Sequence, residues 1–293
     1  MRREYRLVNV FTQGGGRLTG NPLCVFEDAR GLTDGQMQAL ALQFNLSETT
    51  FILPSGRADA RVRIFTPGYE MPFAGHPTLG TAHVVRALTG AGDALRLEMK
   101  AGIIPVSAAG DVWTLQANAP THRPVAATPA ELAAMLGLAE RDLASPASAP
   151  PLWVDTGSEQ LVIPVASADA VRRAAPRTDL LLAYGHNGAR AMAYVWAFDP
   201  DRAAGAAGGR PVLARFFFPK HDAVAEDPGT GSACANLGGW LLATGATLPQ
   251  RLAIAQGEAV GRPCHLGLEV TADRRILVSG RVIELGRGSV RLP

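Results

Sequence analysis

Ala74-Gly75-His76-Pro77-Thr78-Leu79-Gly80-Thr81-Ala82 is the stretch from which the fold can be read, because a second version stands later as Glu226-Asp227-Pro228-Gly229-Thr230-Gly231-Ser232-Ala233-Cys234. Arg63-Ile64-Phe65-Thr66-Pro67 lies twelve residues before Gly75, and Arg215-Phe216-Phe217-Phe218-Pro219 lies twelve before Asp227, so the copies align without a gap. Each reads as a strand, a linker and a Gly/Thr-rich turn opening a helix. The chain carries an internal duplication.

In the first copy Pro77 fits the first helical position, which makes His76 the expected cap, and Thr89-Gly90 the expected end. The second helix is expected from about Thr230 to Ala243. Leu79, Ala82, Val84, Val85, Ala87 and Leu88, like Ala233, Ala235, Leu237, Trp240, Leu241 and Leu242, cover most of their helix circumference, as suits a helix enclosed by sheet. Outward from the motifs, Thr33-x-x-Gln36 is a capping box opening a helix that ends at Asn45. Ser47 to Pro54 and Arg61 to Thr66 read as strands, and Pro67 to Pro72 as a linker. Near the C-terminus Arg275 to Ser279 and Arg281 to Leu285 read as two strands, and Asp201 to Arg210 as a Gly/Ala-rich loop. The expected class is α+β: two pseudo-symmetric halves, each a curved, mostly antiparallel, barrel-like sheet around a central helix. The Pro/Ala/Ser/Thr-rich stretch from Ala117 divides them into 1–118 and 119–293, and the last strand, near 281–293, is a candidate to pack back on the first half.

With 47% apolar and 18% charged residues the chain of 293 is globular in composition. Its 28 basic and 26 acidic residues form no basic run, which argues against nucleic acid or an anionic membrane as partner and for a small-molecule substrate. Three cysteines in no C-x-x-C spacing, and no apolar signal core or membrane-spanning run, give the expectation of a reducing, cytoplasmic location. There is no zinc spacing and no dinucleotide fingerprint, so neither a metal nor a cofactor is expected.

Two enclosed helices starting in small residues would present N–H groups and positive dipole ends able to hold an anion. Gly75 and His76 would do so in one half, Gly229, Gly231 and Ser232 in the other. His76 and Asp227 each have a plainer reading as helix caps. Glu48, set among Ser47, Thr49 and Thr50, suits a carboxylate held for proton transfer, or a solvated one at a helix-to-strand junction.

Gly20-Asn21-Pro22, Asn45-Leu46-Ser47-Glu48-Thr49-Thr50-Phe51, Arg63 to Pro67, Pro72 to Ala82, Glu226 to Ala233 and Gln256-Gly257-Glu258-Ala259-Val260-Gly261-Arg262-Pro263, in this order, closely resemble the PhzF-like isomerases of phenazine biosynthesis. The resemblance implies the diaminopimelate-epimerase fold, a homodimer, and cofactor-free isomerisation, the type substrate being trans-2,3-dihydro-3-hydroxyanthranilate. It implies Glu48 as general acid/base, with Gly75, His76, Asp227 and Ser232 binding the substrate or assisting. Asn21 and, less directly, Ser158-Glu159, which echoes Ser47-Glu48, are nominated for specificity. Epimerases of this fold use a cysteine at each helix start; this chain has none there, which argues against a two-thiol mechanism.

The leading expectation is a proton shuttle by Glu48, partly desolvated with a raised pKa, on a small carboxylated, amino-bearing substrate. Its alternatives are an epimerase or racemase pairing Glu48 with His76 or Asp227, and a binding or regulatory protein without turnover.

Overall fold

The computed structural model describes residues 1–203 and 208–292, so the loop expected at Asp201 to Arg210 lies partly outside the described residues. The chain divides into a first unit, Met1–Gln116 with the stretch from Ser279 onward, and a second unit, Ala117–Val278.

The first unit contains β1 (Arg2–Val10), β2 (Asn21–Phe26), α1 (Asp34–Phe44), β3 (Thr49–Leu53), β4 (Ala60–Phe65), β5 (Glu70–Met71), α2 (Gly75–Thr89), β6 (Ala94–Met99), β7 (Gly102–Ala109) and β8 (Val112–Gln116). The capping box of α1 forms as expected, with Thr33 and Gln36 bonded reciprocally and Asn45 closing the helix in the left-handed conformation. β1 pairs antiparallel with β2, β2 parallel with β3, β3 antiparallel with β4, and β4 parallel with β6, which continues antiparallel into β7 and β8. The linker expected at Pro67 to Pro72 instead turns back as β5 and pairs with β4.

The second unit contains β9 (Thr121–Pro124), α3 (Pro129–Leu136), β10 (Leu152–Asp155), β11 (Gln160–Pro164), α4 (Ala168–Arg173), α5 (Thr178–Tyr184), β12 (Ala193–Phe198), β13 (Arg210–Lys220), β14 (Ala223–Asp227), α6 (Gly231–Ala243), β15 (Gln250–Gln256) and β16 (Cys264–Val270). Its pairings repeat the first unit's: β10 antiparallel with β11, β11 parallel with β12, β12 antiparallel with β13, β13 antiparallel with β14 and parallel with β15, and β15 antiparallel with β16.

The last strand, β17 (Ile276–Arg291), is continuous where two strands were expected. Gly280 does not break it but makes room, since a Cβ there would stand 2.2 Å from the Phe11 ring. From Val282 onward β17 pairs with β1, and the Val282 N–H donates to the Asp111 carbonyl beside β8, closing the first unit's ring of strands around α2. Every residue of α2 from Gly75 to Ala82 is buried, and α6 is buried along Ala233 to Leu241. Ala87 and Leu88, expected on the enclosed surface, are exposed, so the enclosure of α2 ends before its last turn. Gly80 lets α2 lie directly on the sheet, because a Cβ would come 2.6 Å from Leu23 and 2.9 Å from Val10. No helix among the described residues is long and apolar enough to cross a membrane.

Candidate active site

The two motif copies match in structure, with a correction to their alignment. Arg63 donates to Glu70, seven residues on, and Arg215 to Glu226, eleven residues on. Each guanidinium lies over the aromatic ring two positions along its strand, Phe65 at 5.0 Å and Phe217 at 4.6 Å. The β13–β14 hairpin is therefore four residues longer than β4–β5, and the gap-free alignment fails beyond the strand. With helix starts superposed, Gly75 corresponds to Gly231, His76 to Ser232 and Gly80 to Asn236, while Asp227 corresponds to Met71 rather than to Gly75. The extra turn length is what a polar-rich hairpin absorbs without disturbing the strands it joins.

In the first unit Glu48 directly precedes β3, and its Oε2 lies 3.5 Å from Nδ1 of His76. His76 is not the cap of α2: Ala74 is, without a side-chain bond, and the Thr78 hydroxyl donates to its carbonyl at 2.7 Å. Pro77 thus sits third in the helix, still within the first turn, where its missing N–H leaves no intrahelical bond unmade. Burial pushes the His76 imidazole down to about 3, the nearby Pro22 carbonyl working in the opposite direction. The ring is neutral at any ordinary pH, so its contact with Glu48 is that of a carboxyl group and a dipole, not an ion pair. Asn21, fully buried at the start of β2, is the chain neighbour of Pro22. Asn21, Glu48, Gly75 and His76 are thus gathered at one end of α2.

In the second unit Asp227 ends β14 and is not the cap of α6, a place taken by Thr230. Gln256 organises this turn. Its Oε1 accepts from the Thr230 N–H at 3.4 Å, and its Nε2 donates to the Asp227 carbonyl at 2.8 Å and to the Thr230 hydroxyl at 3.0 Å. Because backbone groups fix which end of the amide is which, the Thr230 hydroxyl is left to donate to the Asp227 carboxylate, at 2.5 Å. Gly257, with φ of 79°, packs so closely on this turn that a Cβ would come 2.4 Å from the Pro228 carbonyl oxygen. Gly229 is buried just before Thr230, and Gly231 and Ser232 are the first two residues of α6. Ser232 Oγ accepts from Gln160 Nε2 at 2.9 Å.

Thr230, Gln256 and Gln160 were not singled out from sequence. Gln256 stood at the head of a recognisable motif, and Gln160 is a polar residue opening an otherwise apolar strand, Gln-Leu-Val-Ile-Pro.

The echo of Ser47-Glu48 in Ser158-Glu159 is not the duplication's own correspondence. β3 and β4 pair Thr49 with Phe65, and β12 and β13 pair Ala193 with Phe217, so the counterpart of Glu48 is Met192. β2 and β3 pair Cys24 with Thr49, and β11 and β12 pair Leu161 with Ala193, which matches Ser158 and Glu159 to Asn21 and Pro22. Glu159 is held by both ends of the Arg123 guanidinium, at 2.7 and 2.9 Å. A carboxylate at the position of Glu48 therefore belongs to the first unit alone. Cys234 lies buried in the first turn of α6, its thiol pushed well up by desolvation, which makes it a packing residue rather than an acid or base.

Residues 8–288 match the family model of phenazine biosynthesis-like proteins, PhzC-PhzF. The chain is 37% identical to an uncharacterized isomerase of Pasteurella multocida, over 99% of this chain and 94% of that one. It is 36% identical to the trans-2,3-dihydro-3-hydroxyanthranilate isomerase of Pseudomonas aeruginosa, over 85% of this chain and 84% of that one. Among solved structures, a PhzF-family phenazine biosynthesis protein of Bacillus anthracis superposes with a TM-score of 0.87 at 27% identity, covering both chains completely, and shares the α+β fold expected from sequence.

Proposed function

We propose, from the premise that this chain belongs to the PhzC-PhzF family and is an isomerase, that it moves a proton on a small carboxylated, amino-bearing substrate with Glu48 as its single general acid/base. The observation that carries this reading is the setting of Glu48: a carboxyl 3.5 Å from a neutral, buried imidazole, at a position whose counterpart in the second unit is Met192. A protonated histidine at that distance would hold Glu48 ionised and weaken it as a base. A neutral one orients the carboxyl without fixing its charge, so Glu48 can take a proton from an sp³ carbon and return it to another atom of the same substrate.

Asn21 and Gly75 are assigned to substrate binding beside Glu48. Gly229, Gly231 and Ser232 are assigned to the substrate's anionic group, through N–H groups and a hydroxyl at a helix start. Asp227, held by Thr230 and by Gln256, is assigned to the substrate's polar or cationic group. The reading needs no cofactor or metal and places the enzyme in the cytoplasm as a homodimer.

The test is turnover in heavy water, with trans-2,3-dihydro-3-hydroxyanthranilate and a panel of unsaturated amino acids as substrates. A single shielded carboxylate should deliver part of the substrate's own hydrogen to the product. Inversion at one carbon with full uptake of solvent deuterium would instead mark a two-base epimerase and overturn the assignment.

A further inference from the structure

Beyond the residues assigned above, a polar relay inside the second unit ends on Ser232. The Thr156 N–H and hydroxyl both donate to Asn236 Oδ1, at 3.0 and 2.7 Å. Asn236 Nδ2 donates to the Ser158 carbonyl and to Gln160 Oε1, both at 2.8 Å. Gln160 Nε2 then donates to Ser232 Oγ at 2.9 Å. A backbone N–H at one end and a backbone carbonyl in the middle admit one orientation of each amide. Ser232 therefore receives a hydrogen bond from within, and its own hydrogen is left for a group outside the relay. Asn236 is fully buried and Gln160 and Thr156 almost so, whereas Ser232 is half-buried.

The fold does not require this relay. In the first unit the position of Gln160 is Leu23 and that of Asn236 is Gly80, and the two meet as an apolar contact of helix on sheet. The second unit replaces that contact with two buried amides, each of which would be costly if left unsatisfied. We propose that Gln160 is a positioning residue that turns the Ser232 hydroxyl into an obligate hydrogen-bond donor, and so favours a carboxylate, a charged acceptor, over the weaker neutral acceptor of a carboxamide on the substrate. The proposal rests on the assignment of Ser232 to the substrate's anionic group.

Calorimetric titration of the full chain with anthranilate and with its neutral amide, 2-aminobenzamide, tests this. Wild type should prefer the carboxylate. Gln160→Glu offers Ser232 an acceptor instead of a donor, turns its hydrogen inward and should weaken anthranilate binding about tenfold or more while changing the amide far less. Gln160→Met should weaken anthranilate in wild type but not in a Ser232→Ala background, as expected of a residue acting through the serine. Equal losses for both ligands, or an undiminished effect without Ser232, would overturn the positioning role. If wild type binds neither ligand, the assignment of Ser232 to an anionic group fails first. A ligand-independent measurement keeps the two failures apart: the Gln160 side-chain amide should exchange slowly in wild type and faster in Ser232→Ala, while that of Asn236 stays protected. Rapid exchange of Gln160 in wild type would refute the relay itself.

Discussion

At the scale of single residues the account turns on charge states. The hydroxyl neighbours of Glu48 left it two readings, between which the family resemblance chose, whereas the neutrality of His76 was not legible at all, because it arises from burial that only the packed helix start supplies. That neutrality has a measurable consequence. Between pH 6.5, the ordinary value, and about 3, the unfolded chain binds a proton at His76 that the folded chain refuses. The residue's contribution is therefore complete above pH 6.5 and is lost as the pH falls toward 3, at up to about 1.4 kcal/mol per pH unit. Urea unfolding at pH 7.5, 6 and 5 should show a shallower acid loss in His76→Gln than in wild type. Equal slopes would mean that the ring titrates normally in the folded state.

Among elements, the capped helices and the apolar strands such as β3 and β4 could be placed from sequence, and the short return strands β5 and β14 could not. The α1 capping box, the left-handed Gly90 ending α2 and the enclosed α6 follow from local chemistry. β5 and β14 exist because they pair back on β4 and β13, and nothing in Glu70-Met71 or Ala223 to Asp227 announces that partner. The longer β13–β14 hairpin is also why a gap-free alignment of the two copies runs four residues out of register beyond the strand. Packing of α2 on its sheet is the test at this scale. Gly80→Ala should regain about 1 kcal/mol of helix propensity but lose about 1–3 kcal/mol to overpacking against Leu23 and Val10, a net destabilisation. Gly92→Ala, with nothing within 4 Å, should stay within about 0.5 kcal/mol of wild type. A more stable Gly80→Ala protein would show that the helix does not lie as close as described.

For the whole molecule, duplication explains why one chain holds two such units, and the sequence conveys it through the Arg63 and Arg215 strands. The return of the C-terminus was only a candidate reading, since no local signal in β17 names β1 as its partner. Here the strand supplies the antiparallel neighbour of β1, and Glu284 supplies a partner for the buried Arg6 guanidinium at 3.0 Å. Removing residues 279–293 should therefore strip hydrogen-exchange protection from those amides of Arg2–Val10 that face β17, with the amides facing β2 and those of β11 to β13 in the second unit still protected. Persistent protection of the β17-facing amides of β1 in the truncated chain would contradict this. The functional account condenses to one group, present in the first unit and absent from the matching place in the second. Its most direct test is Glu48→Gln, assayed on any substrate that wild type converts. The account predicts a loss of kcat of about a hundredfold or more, with ligand binding and melting temperature little changed. Turnover at the wild-type rate would show that the proton travels on another residue.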